Sequence, residues 1–96
     1  MSASRWFILG FDYDAIVGAW QDWRLARQCV ETLAAADLSP TSGILEGGGR
    51  GEHLTYWYVR DDIAGVLDDG GVPWRRFLVG ETEAPPAGAT RQLKLQ

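Results

Sequence analysis

The chain has 96 residues, which suffices for one domain with one core but not for two. Its net charge is −4, and its nine basic residues are scattered arginines apart from Lys94. Binding to nucleic acid or to an anionic membrane surface draws on clustered positive charge, so both are disfavoured as partners.

Residues 5–12, RWFILGFD, are aromatic, β-branched and apolar on both faces, which predicts a central strand. From Gln21 to Asp37 the apolar positions Trp23, Ala26, Val30 and Leu33 recur at spacings of three and four, the mark of one helix face. Arg24, Arg27, Gln28 and Glu31 fall mostly on the other face, and the helix should stop before Pro40. A helix begun at Ala15 would run about 35 Å. An eight-residue strand spans only about 26 Å. With Gly18 in the stretch as well, AIVGAWQ is expected to be a loop or a separate turn.

A second strand is expected over residues 41–46, a third over 52–60 and a fourth within VPWRRFLVGE, residues 72–81. Between the third and fourth, DDIAGVLDDGG reads as a short helix. Asp61 or Asp62 would be its N-cap, and Gly70 or Gly71 would close its C-terminus. The order β-α-β-β-α-β is the ferredoxin-like pattern. It implies an α+β sandwich in which two helices cover one face of a four-stranded antiparallel sheet. Residues 1–82 are expected to form this single domain. Residues 83–96 form a tail: a Pro/Ala/Gly linker, then Leu93 and Leu95 alternating with polar neighbours, which suits an extra edge strand.

A sheet covered on one side should have one polar face. Here neither face is polar. In the third strand His53, Thr55, Trp57 and Val59 oppose Leu54, Tyr56 and Tyr58; in the first, Trp6 and Ile8 oppose Phe7, Leu9 and Phe11. In the fourth, Phe77 and Val79 oppose Trp74, Arg76 and Leu78. A large exposed apolar patch marks an interface or a ligand surface. The expected function is therefore non-catalytic binding, as a homodimer through an aromatic sheet face or with an apolar small-molecule or protein partner. The expected contact residues are Phe7, Tyr56, Trp57, Tyr58, Trp74 and Arg76, with Arg50 at the tip of the glycine loop. The competing reading is that the C-terminal segment folds back and closes the face within one chain.

The run EGGGRGEH lies between two strands and lacks both the lysine of a Walker loop and the G-x-G-x-x-G spacing, so it reads as a hairpin loop. His53, the only histidine, is the candidate acid or base if the chain is instead a small enzyme of the dimeric α+β-barrel type acting on an apolar molecule. A third reading, single-stranded nucleic-acid binding, rests on the element order shared with RNA-recognition modules. RGEHLTYW departs from their third-strand signature after two positions, at Glu52, His53 and Leu54. Asp12 and Asp14 resemble the Asp-x-Asp of haloacid-dehalogenase-type phosphatases, but the following Thr is missing and the chain is too short for that fold. Cys29, standing alone, excludes an intrachain disulfide and a cysteine zinc site, and is expected to be buried and inert. No cofactor and no metal are expected. Without a leader or a membrane-length apolar run, the expectation is a soluble cytoplasmic protein.

Overall fold

A computed structural model of the chain describes residues 5–12, 16–39, 43–47 and 54–89. They form β1 (Trp6–Asp12), α1 (Ile16–Ala35), β2 (Ile44–Gly47), β3 (Leu54–Arg60), α2 (Asp61–Asp69), a 3-10 turn (Trp74–Phe77) and β4 (Leu78–Thr82). The strands make one antiparallel sheet in the order β2-β3-β1-β4, and two helices complete a small α+β fold. No helix among the described residues is long and apolar enough to cross a membrane.

The register of the central pair divides the side chains between two faces. Phe7 lies opposite Val59, Leu9 opposite Trp57 and Phe11 opposite Thr55, and directly opposed residues share a face. Leu9, Phe11, Trp57 and Val59, with Ile44 from β2, form one buried cluster with Leu25, Ala26, Cys29 and Leu33 of α1 and Ile63, Ala64 and Leu67 of α2. The Phe11 ring sits 4.4 Å from Trp57 and 4.9 Å from Phe77, centroid to centroid, in tilted geometry. At the other end of the core Phe7 meets Trp74 at 5.0 Å.

The helix α1 begins at Ile16, so most of the AIVGAWQ stretch expected as a loop is helical. Ile16, Trp20 and Trp23 continue the spacing of three and four, and one interior glycine costs a helix only about 1 kcal/mol. A helix need not end level with its strand, and this one spans about 30 Å. Its buried stripe is also rotated from the expected one. Trp23 turns outward, 38% exposed, with the Arg27 guanidinium 5.1 Å above its ring. Leu25 and Cys29 take the inward positions.

Both helices close with a left-handed residue. After α1, Asp37 has φ 60°, the Asp37 amide donates to the Ala34 carbonyl (3.0 Å), and the Leu38 amide donates to the Leu33 carbonyl (2.7 Å). After α2, Gly71 has φ 75°, with matching bonds from Gly71 to Asp68 (3.0 Å) and from Val72 to Leu67 (2.9 Å). Each is a Schellman closure that satisfies the last helix carbonyls. At the start of α2 the cap position falls to Arg60, not to Asp61 or Asp62. The two aspartates sit in the first turn, where the helix dipole favours negative charge. Asp62 accepts from the Ile63 amide at 2.8 Å and grips the Arg60 guanidinium with both oxygens, at 2.6 and 3.0 Å. Gly43, just ahead of β2, lies against α2 so closely that a methyl group there would overlap the Ile63 side chain.

The fourth strand begins at Leu78, later than expected, because Pro73 has no N–H to give a sheet and Trp74–Phe77 coil into the 3-10 turn. Asp68 fastens that turn to α2. One carboxylate oxygen accepts from Trp74 Nε1 at 2.9 Å and the other from Arg75 at 2.8 Å, while the guanidinium lies 4.5 Å over the Trp74 ring. The Arg75 hydrogen bond first, then that of Trp74, holds the Asp68 carboxyl below its ordinary pKa.

The closures carry two predictions and the anchor a third. Replacing Gly71 by Ala should lower stability by about 1 kcal/mol, because a side chain at positive φ is disfavoured. Replacing Asp37 by Gly should raise stability by about 0.5 kcal/mol, the gain at positive φ being offset by glycine's larger entropy loss. Urea denaturation of the three chains checks both. A carboxyl whose pKa drops on folding adds stability above its unfolded value, about 3.9, and loses it as pH falls through the folded value. Asp68→Asn should therefore destabilise the chain at about pH 6 and make little difference at about pH 2, as read from urea midpoints at the two pH values.

Candidate functional site

The face of the sheet turned away from the helices is built from the alternate residues of the same strands. Ile8 lies opposite Tyr58, Gly10 opposite Tyr56 and Trp6 opposite Arg60, while Leu45 of β2 flanks Tyr58 on its other side. At Gly10 the absent side chain makes room for a neighbour. A Cβ there would sit 3.3 Å from the Tyr56 ring and 3.1 Å from Val79 Cγ1, so Tyr56 and Val79 converge over the glycine. Val79 reaches this place through a bulge in β4: Gly80 pairs with Ile8 and Leu78 with Leu9, leaving Val79 as the extra residue. It is 62% exposed, and Leu78 beside it on the sheet edge is 36% exposed.

The chain also meets this face with residues that follow β4. β4 ends at Thr82 on one edge of the sheet, opposite Trp6, and β2 lies on the other edge. A Cβ at Gly47, the last residue of β2, would meet the Gly88 carbonyl oxygen at 3.2 Å and the Ala89 Cα at 3.5 Å. Residues 83–89 therefore cross the whole width of the sheet. Gly47 pairs with Tyr56, which places the crossing on the open face, since the opposite face is filled by the helices. Ala89 has no exposed surface, and Tyr58, on the same face, keeps only 6%. Burial, and next the neighbouring Tyr56, push the Tyr58 phenol above its ordinary pKa.

Of the residues expected at an interface, Tyr56 and Tyr58 are on the open face. Phe7, Trp57 and Trp74 are not, and the expectation is corrected for all three. Phe7 and Trp57 belong to the helix-covered set, with Trp57 Nε1 donating to Glu46 at 3.1 Å, and Trp74 is fully buried. Alternation sorts β1 and β3 into two sets without saying which set the helices cover, and period two does not apply across a 3-10 turn. Arg76 is exposed on that turn rather than on a strand. His53 and Arg50 lie outside the described residues, as do residues 90–96 with the expected edge strand. Val79, Ile8 and Leu45 were not singled out by sequence reasoning. The available signal was the glycine at position 10, an interior strand position that leaves room for neighbouring side chains.

Chemically this is a packing surface. Its tyrosines have polar tips suited to a partly wet contact, and Arg60, on this face among the described residues, is held by Asp62. Among the described residues no group of three His, Cys, Asp or Glu side chains could hold a metal ion. Compared with protein families, with curated proteins and with solved structures, the chain matches none. Cys29, deep between α1 and the sheet, has its thiol pushed up to about 12 by burial. The thiolate is the reactive form, so Cys29 should react with a disulfide reagent at about pH 8 at least ~100-fold more slowly in the native chain than in urea, measured by absorbance of the released thiol.

Proposed function

We propose that the chain is a non-catalytic interaction protein that acts as a homodimer through the open face of its sheet, on a ferredoxin-like architecture. The architecture is supported by the strand order β2-β3-β1-β4 with α1 between β1 and β2 and α2 between β3 and β4, which interleaves two split β-α-β units. The homodimer reading rests on one observation above the rest: Val79, 62% exposed, stands with Tyr56 over Gly10 at the end of the face that residues 83–89 leave uncovered. An exposed aliphatic side chain beside an aromatic ring, continuous with the apolar edge residue Leu78, loses about 25 cal/mol of favourable free energy per Å² left in water. A two-fold axis brings the same patch from both chains together, so a single cluster supplies both sides of the contact. The edge position of β4 adds main-chain groups able to pair across that axis.

Size-exclusion chromatography with light scattering tests the reading. The native chain should run at twice its 10.6 kDa mass. Val79→Asp should halve that mass and leave the circular dichroism unchanged, because a residue so exposed contributes little to the fold. A native chain that stays monomeric at about 100 μM, where a contact of even modest affinity is populated, would falsify it.

A further inference from the structure

Tyr58 is more deeply buried than its own face explains. It stands between Ile8 of β1 and Leu45 of β2, both half-buried. Strand side chains rise roughly perpendicular to the sheet, so these two shield the flanks of the ring. A tyrosine is longer than either, and its outer end should stand clear of them. Yet only 6% of Tyr58 is exposed. Residues 83–89 account for little of this, since 83, 84 and 86–88 are exposed and Gly88 and Ala89 approach the sheet at Gly47.

Connectivity and composition narrow the source of the cover. Residues 13–15 link β1 to α1, and residues 40–42 lead to Gly43, which lies against Ile63 of α2; both links serve the helix side. Residues 48–53, GGRGEH, contain no apolar side chain, and residues 1–4, MSAS, bring Met1 as their one large apolar group. Residues 90–96, TRQLKLQ, continue from Ala89, which is fully buried beside β2. In extended backbone Leu93 and Leu95 share one side, and Gln92, Lys94 and Gln96 share the other. Distance permits the contact. Gly47 pairs with Tyr56, and Tyr58 lies two residues further along β3, about 8 Å away by strand rise and spacing. Leu93, four residues past Ala89, reaches up to about 13 Å.

We propose that residues 90–96 return over the open face of their own chain and cover Tyr58 with Leu93 and Leu95, a strap that closes this part of the face to partners. The strap enters from the β2 edge, whereas Val79 stands at the β4 edge. The inference therefore goes beyond the homodimer reading and does not depend on it.

Tyrosine acylation by N-acetylimidazole tests this on the full chain, with fragment spectra separating Tyr58 from Tyr56. In the Leu93→Asp, Leu95→Asp chain Tyr58 should react at least ~10-fold faster than in the native chain, with near-ultraviolet circular dichroism unchanged. Lys94→Asp, at the intervening position, should leave the rate as it is. Should the double variant fail to fold, Leu93→Ser and Leu95→Ser replace it, and each should raise the rate at least ~3-fold. The native rate should be equal at about 1 μM and about 100 μM, because the cover belongs to the same chain. Equal Tyr58 rates in the native chain and the folded leucine variants overturn the strap. So does a native rate that rises on dilution, which assigns the cover to a second copy. A native chain that is monomeric by light scattering with Tyr58 still protected removes the homodimer reading and leaves the strap standing.

Discussion

The antiparallel register between β1 and β3 assigns almost every bulky side chain of the sheet to a face, and the rest of the architecture is arranged around that assignment. With Leu9 opposite Trp57 and Ile8 opposite Tyr58, one set of side chains goes to the helices and the other to the far side. A slip of one residue would exchange the two sets completely, since side chains alternate with period two. The helix-side set could not tolerate that. Leu9, Val59 and Ile44 retain no exposed surface, and Phe11 wedges between Trp57 and Phe77 in a volume that α1 and α2 close. Register is therefore fixed by the core, and the open face inherits its composition as a consequence.

The inherited composition is what makes the second face unusual. A strand whose alternate positions hold Trp6 and Ile8, set against Tyr56 and Tyr58, leaves apolar surface in the place where a two-layer sandwich normally meets water. Residues 83–89, EAPPAGA, pass across this face and meet it at Gly47, with no main-chain hydrogen bonds to the strands among the described residues. The remainder, around Val79, Tyr56 and Gly10, lies beyond the reach of that segment, and Val79 there is 62% exposed.

Much of this could be read in the sequence, and the misses have definable causes. Elements were recoverable wherever a single period governed the run, as in WFILGFD, LTYWYVR and the stretch from Leu25 to Leu33. The start of α1 was obscured by Gly18 and by a comparison of helix and strand lengths that sheet packing does not enforce. The fourth strand was placed too early because PWRRF alternates in its letters while Asp68 holds those residues in a 3-10 turn through Trp74 and Arg75. The site was half legible. Alternation separated Tyr56 and Tyr58 from Trp57, but the expected contact residues were drawn from both faces because letters do not say which face receives the helices, and Phe7, Trp57 and Trp74 lie on the covered side. Val79 was hidden by a bulge, which shifts phase by one residue and leaves no compositional trace. The crossing of residues 83–89 was foreseen only as a rival to association, because a Pro/Ala/Gly stretch signals an absence of regular structure and says nothing about what lies beneath it.

The route of residues 83–89 also sets how the molecule answers a mechanical load. A pull applied at Ala89 is carried first by this diagonal segment, which no main-chain hydrogen bond among the described residues ties to the sheet. Only when it is free does tension reach β4, which sits at the sheet margin and parts from β1 rung by rung. The two-helix core feels nothing until both have gone. The described residues thus place a soft extension in series with a stiff body, a division that follows from leaving residues 83–89 outside the hydrogen-bonded ladder.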